Sequence, residues 1–182
     1  MDTLAHTLWT YIIYFSHKLK WWAILIAVLP DIFAFTPHFF VEHFVGGQII
    51  FDALYNFSHS FISVLLIGLI VFLFARKYLI LLGAWALHIF IDIFTHPFGY
   101  YPTNYLYPFT SPFMFAIDYR TFTFTIINYV LIMTILTTLV YFYKIRKKNH
   151  KNSVLHFIPA AKFHVFSPLF DLGCSILGLG KT

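Results

Sequence analysis

Acidic side chains are scarce in this chain of 182 residues. Asp and Glu together number seven, and charged residues of all kinds make up 10%, against roughly 25% in ordinary soluble domains. With 60% hydrophobic and 22% aromatic residues, that shortage excludes a conventional water-facing surface and predicts an integral membrane protein. The single cysteine, Cys174, excludes disulfides within the chain and any cysteine-based zinc site. There is no Gly-x-Ser-x-Gly elbow, which argues against a serine nucleophile even though Ser58 and Ser60 flank His59. Gly46-Gly47 lacks the spacing of a phosphate-binding loop. The opening Met1-Asp2-Thr3-Leu4 lacks the basic region and small-residue cleavage site of a secretory signal, so no segment is expected to be removed.

What is present is a series of apolar segments. Leu4–Phe15 and Trp21–Phe35 are shorter than the ~20 residues that cross a hydrocarbon core, which fits a tilted or half-inserted hairpin. Phe57–Ala75, Leu79–Thr95 and Thr121–Tyr143 read as full spans. The fold expected is therefore an all-α, integral membrane helical bundle of about five membrane segments, with a membrane-embedded domain over 1–143. A basic juxtamembrane segment and a poorly structured cytoplasmic tail fill 144–182. Thr36–Asn56 is a mixed connector, whose His38, Glu42 and His43 form a wet interfacial face or supply extra ligands. Pro97–Arg120 is a Pro- and Tyr-rich loop that reads equally as a lid or as an aromatic belt at the membrane boundary.

Basic residues near membrane ends mark the cytoplasmic side. With the N-terminus outside, five segments place Lys18, Lys20, Arg76, Lys77, Lys144, Arg146, Lys147, Lys148 and Lys151 on one side and only Arg120 on the other. The formal charge of +5 is then explained by topology and contact with anionic lipid, and no nucleic-acid partner is expected. The same topology gathers His6, Asp31, His59, His88, Asp92 and His96 at one depth near the non-cytoplasmic face. Three of them lie in His88-Ile-Phe-Ile-Asp-Ile-Phe-Thr-His96. There a spacing of four stacks His88, Asp92 and His96 on one helical face, in a stripe of ~12 Å at ~1.5 Å per residue.

Ionisable groups on a helix of this apolarity are costly and mark a functional site by default. Imidazoles with carboxylates at one level are ligand chemistry for Zn²⁺, and less specifically for Mn²⁺ or Fe²⁺. A divalent ion with an open position lowers the pKa of its water to about 7 and polarises a carbonyl or phosphoryl oxygen. A neighbouring carboxylate then serves as general base. The nearest electrophiles at a membrane face are the esters and phosphodiesters of lipids. A metal-dependent hydrolase acting on a lipid-like or membrane-delivered substrate is thus the leading expectation. Cation or proton transport, or metal handling, through the same groups is the alternative, weakened by the lack of an internal repeat. Haem ligation by His59 and His88 is a further rival, but it has no use for two acids alongside.

His6, Leu29-Pro30-Asp31, Ser58-His59-Ser60 and His88-x3-Asp92-x2-Thr95-His96, followed by aromatics and Pro108-Phe109, resemble the YdjM-type family of inner-membrane metal-dependent hydrolases. The ligand order is also similar to that of bacterial zinc-dependent phospholipase C, an α-helical enzyme. The resemblance covers His6 to about Tyr143. It implies that Asp31, His59, His88 and Asp92 bind a principal metal, that His6 and His96 serve neighbouring sites, and that Asp31 is the catalytic base. Two positions depart from the pattern: Phe33 stands where a second acid is usual, and Tyr55-Asn56 where a His-Arg pair often precedes Ser-His-Ser.

Overall fold

The computed structural model describes residues 1–41, 47–97, 101–109 and 115–153, with backbone alone for 36–41 and 149–153. Among them are α1 (Thr3–Ile13), α2 (Lys20–Val41), α3 (Gly47–Ser58), α4 (Phe61–Phe74), a 3₁₀ turn at Arg76–Tyr78, α5 (Leu79–Thr95) and α6 (Phe122–Ser153), and no strand. The all-α expectation therefore stands for the described residues. Glu42, His43, Tyr100, Phe113 and the tail beyond Ser153 lie outside them, as does the side chain of His38.

The chain divides into two compact units, Met1–Leu136 and Thr137–Thr182. In the first, α2 is the central helix and packs against α1, α3 and α5, while α5 also meets α4 and α1. Small residues permit the closest approaches: Ala23 and Ala27 of α2 and Ala84 of α5 are fully buried with Tyr14 and Leu81. Helix pairs in an apolar solvent use this arrangement because backbones can then approach closely. A second cluster joins Trp85, Ile89 and Ile93 of α5 to Val64 of α4. A third sets Ile132 of α6 against Met1 and Ala5, and there Trp9 Nε1 donates to Asn128 Oδ1 at 3.0 Å. Large apolar side chains such as Leu65, Leu69, Phe74, Phe122 and Ile127 remain exposed, as a lipid-facing surface requires. In the second unit, Thr137–Ser153 continues as helix through the basic cluster.

The number of spans differs from the expectation of five. Among the described residues, Arg76–Thr95 and Phe122–Lys148 are long and apolar enough to cross a membrane. α3 and α4 make a third only if the pair, bent by 64°, is one span. The shortfall has physical causes. α1 has 11 residues, roughly 17 Å at ~1.5 Å per residue against a core of ~30 Å. The third apolar segment is also not continuous. Phe57 and Ser58 end α3, and α4 starts only at Phe61, because Ser60 turns out of the α-region and its side chain accepts from Ile62 N, capping a new helix. Much of the connector 36–56 is helical, belonging to α2 and α3.

Candidate metal centre

His6 comes from α1, Asp31 from α2, His59 from the break between α3 and α4, His88 and Asp92 from α5, and His96 from the residue that ends α5. The first unit brings all six together around the carboxylate of Asp92. Oδ1 of Asp92 lies 2.8 Å from His6 Nε2 and 3.1 Å from His96 Nδ1. Oδ2 lies 3.1 Å from His88 Nε2 and 3.7 Å from His59 Nε2. Across from it, Asp31 Oδ1 is 3.5 Å from His88 Nε2 and 3.6 Å from His59 Nε2. The other oxygen of Asp31 accepts from Thr3 Oγ1. His6, His59, His88 and Asp92 are each 1% exposed.

Two triads, His6–His88–Asp92 and Asp31–His59–His88, each offer ligand atoms within 4.8 Å of one another. The hydrogen bonding shows why a cation fits between them. His59 Nδ1 lies 3.0 Å from Tyr55 O, which is only an acceptor, and 3.0 Å from Ser58 Oγ. Ser58 Oγ itself donates to Tyr55 O. Nδ1 must therefore carry the proton, and in neutral His59 the lone pair is on Nε2. That lone pair faces two carboxylate oxygens and His88 Nε2, which is 3.2 Å away. Asp92 Oδ2 has no hydrogen-bond partner despite its neighbours, and neither do His6 Nδ1 and His88 Nδ1. The Met1 ammonium supplies one positive charge, at Asp92 Oδ1; Asp92 Oδ2 and Asp31 Oδ1 face imidazoles alone, and two carboxylates in so apolar a surround favour a further cation between them. Neither Lys nor Arg occurs between Lys20 and Arg76 or between Lys77 and Arg120, so no side-chain cation from those stretches is available. A carbonyl that orients the far nitrogen of a ligating imidazole is also the usual support of a metal site.

The stacking of rings holds the geometry. His6 lies on His88 at 3.9 Å between centroids, and Tyr55 on His59 at 4.2 Å. A cavity of about 250 Å³ reaches Asp31, His59 and His96, and its walls include Asp2, Thr3, Phe35, Tyr55, Tyr101 and Tyr119. Tyr101 and Tyr119 of the aromatic loop thus contribute to the wall. The loop is also tied down: Phe61 N donates to Tyr105 O at 2.8 Å, Ser60 Oγ to Tyr107 O at 3.1 Å, and Asn104 Nδ2 to Asn56 Oδ1 at 2.6 Å. Asp118 and Arg120 pair with each other at 2.7 Å. The Arg120 side chain and backbone N–H groups hold the Asp118 carboxyl down at about 2.

Several groups at the centre have no counterpart in the sequence reading. The N-terminal ammonium of Met1 forms an ion pair with Asp92 Oδ1 and donates to Thr95 Oγ1 at 2.8 Å. Thr3 holds Asp31, and the Tyr55 carbonyl sets His59. Backbone groups carry no residue signature, whereas Thr95 stands in the motif His88-x3-Asp92-x2-Thr95-His96, and helical spacing from Asp92 could have given it a place at the centre.

Fold and centre together define a class: an all-helical protein with apolar helices fit for a membrane and a buried His/Asp group that could hold a metal ion. No family model, curated protein or solved structure matches the chain.

Proposed function

We propose that this protein is a membrane-embedded, metal-dependent hydrolase that cleaves an ester or phosphodiester of a lipid-like substrate. The observation that carries this reading is the confrontation of Asp31, Asp92, His59 and His88, whose carboxylate oxygens and Nε2 atoms converge on one point with no Lys or Arg side chain between them among the described residues. His59, His88, Asp31 and Asp92 would hold the principal ion. His6 and His96, on the opposite oxygen of Asp92, offer a neighbouring position. Zinc suits this N/O set, with manganese and iron less selective alternatives. When bound, such an ion supplies Lewis acidity toward a water and toward the scissile carbonyl or phosphoryl group.

The chain's own residues then do the rest. Asp31 is the most accessible of the four, its side chain 14% exposed at the cavity. It takes a proton from the attacking water and returns one to the departing alcohol as the ester bond breaks. Thr3 fixes its orientation. The aromatic wall admits the polar end of an amphiphile and leaves acyl chains outside, which suits a cavity of about 250 Å³. The ligand order keeps the YdjM-type family, and a likeness to zinc-dependent phospholipase C, as the relationship proposed. The proposed topology has the N-terminus and the centre on the non-cytoplasmic side of an inner membrane. α1 and α2 enter it as a partial hairpin, and α3 with α4 as one bent span.

The bend argues against the transport alternative. In transporters, broken helices leave backbone carbonyls to coordinate the passing ion. Here Phe57 O accepts from Ser63 Oγ and Ser58 O from Trp85 Nε1, so both are occupied. The decisive experiment is metal analysis of detergent-purified protein, wild type and Asp92→Ala. Stoichiometric zinc in the wild type and its loss from the variant is the expected result; equal metal content in both would defeat the proposal.

A further inference from the structure

The break between α3 and α4 turns out to be fastened from α5. Interrupting a helix strands carbonyls that an unbroken helix would satisfy internally. The carbonyl of Ser58, directly before His59, is the critical one, and the indole Nε1 of Trp85 donates to it at 2.8 Å. Trp85 is itself 5% exposed and packed with Val64, Ile89 and Ile93, so the indole has little freedom to leave. It stands three residues before His88, on the same face of α5. One helix face therefore carries the ligand His88 and also the donor that fixes the backbone beside the ligand His59. On the other side of the break, Ser58 Oγ lies 3.0 Å from His59 Nδ1 and donates to Tyr55 O at 3.1 Å. Trp85 thus sets where the His59 backbone stands, and Ser58 Oγ together with the Tyr55 carbonyl sets which nitrogen of its ring faces Asp31 and Asp92.

We infer that Trp85 and Ser58 are positioning residues that hold His59 as a preformed metal ligand, in register with His88. The inference rests on the metal reading above, since a metal-free cluster would have no need of a fixed Nε2 lone pair. Supports of this kind, one bond removed from the ion, are worth about 10–100-fold in metal affinity.

The test uses the full chain in detergent, with zinc affinity measured by chelator competition for wild type, Trp85→Phe, Ser58→Ala and Ser58→Thr. Trp85→Phe keeps an aromatic ring in the packed cluster and removes only the donor. Ser58→Thr keeps the hydroxyl. Zinc affinity is expected to fall about 10–100-fold in Trp85→Phe and Ser58→Ala, and to stay within about threefold of wild type in Ser58→Thr. A parallel readout is the thermal midpoint of each zinc-free protein. Affinity lost at an unchanged midpoint marks positioning, while affinity lost only in step with a lowered midpoint marks general structure and overturns the inference. If Trp85→Phe does not fold, the Ser58 pair decides alone. Wild-type protein that binds zinc with variants of equal affinity overturns the positioning roles and leaves the metal centre standing. Wild-type protein that takes up no zinc overturns the metal reading itself.

Discussion

The contact between Tyr14 and Gly83 offers the sharpest test of how the fold sets the distance between α1 and α5. A Cβ built on Gly83 would lie 2.8 Å from Tyr14 Oη, where ordinary contact begins at 3.4 Å, so Gly83→Ala must open the gap by roughly 0.6 Å. Tyr14 cannot swing aside freely: it is buried and its hydroxyl donates to Ile80 O at 2.6 Å. Overpacking of this kind costs about 1–3 kcal/mol, and loosening the hydrogen bond adds about 1 kcal/mol. Alanine returns about 1 kcal/mol as the better helix former, so a net destabilisation of about 1–3 kcal/mol is expected. Tyr14→Phe alone should cost about 0.5–1.5 kcal/mol. In that background the obstructing oxygen is gone, and Gly83→Ala should turn stabilising by up to about 1 kcal/mol. A double-mutant cycle in detergent, read by thermal or denaturant unfolding, measures this reversal of sign. Alanine at position 83 that acts alike with Tyr14 and with Phe in its place would show that the close approach does not exist. The result bears on the centre because α1 and α5 run antiparallel. His6 sits eight residues from Tyr14 and Asp92 nine from Gly83, roughly 12 and 14 Å along their helices at ~1.5 Å per residue. A shift at one end of the pair is passed to the other.

Added zinc should raise the thermal midpoint of the wild type, since an ion held only by the folded state stabilises it by about 4 kcal/mol at a thousandfold excess over Kd; the same addition should leave Asp92→Ala unmoved, and an equal rise in both would point to binding elsewhere. Asn128→Ala removes the acceptor of Trp9 Nε1 from a site only 8% exposed, and should lower stability by about 1–3 kcal/mol as judged by unfolding; no change would mean that α6 is held on α1 without this bond. The Asp118 carboxyl should titrate near 2 in a ¹³C NMR experiment, and Arg120→Gln should return it toward the usual carboxylate range. Because its folded value is depressed, the pair's support is present above about pH 4 and fades as pH falls toward 2. An unshifted Asp118 in the wild type would show that the pair does not form in solution.

Part of the centre is legible from spacing alone. His88, Asp92 and His96 recur every four residues in an apolar helix, and α5 keeps that helix from Leu79 to Thr95. His6, Asp31 and His59 share no local pattern with them, yet the placement of basic residues at helix ends already puts them at one depth. The break at Ser58–Ser60 is not legible in that way. The residues from Phe57 to Phe74 are apolar enough to read as one helix, and only a serine hydroxyl competing for a backbone N–H distinguishes a cap from a helix interior. The connector before it hides two helical pieces because its polar residues dilute the apolar period that a buried helix shows. What fixes His59 is a backbone carbonyl and an indole from a different helix, and neither leaves a mark on the sequence around position 59.

Charge balance carries the argument one step further. Asp31 and Asp92 bring two negative charges to the centre, and the ammonium of Met1, paired with Asp92 Oδ1, brings one positive charge. Asp2, also at the cavity, is engaged elsewhere: its Oδ1 accepts from Ala5 N at the start of α1 and from Tyr129 Oη at 2.7 Å. With its imidazoles neutral the set therefore carries one net negative charge, and one divalent cation between Asp31, His59, His88 and Asp92 takes it to one positive, while an apolar surround disfavours any larger excess. A second ion beside His6 and His96 would leave an excess of three positive charges, tolerable only when an anionic group of substrate or product is present. The expected stoichiometry is thus one tightly held zinc per chain in ligand-free protein, with further uptake only when inorganic phosphate or a carboxylate is added. Two or more ions held equally tightly without any such anion would refute the charge argument, and would require another acid, such as Asp2, to turn toward the centre.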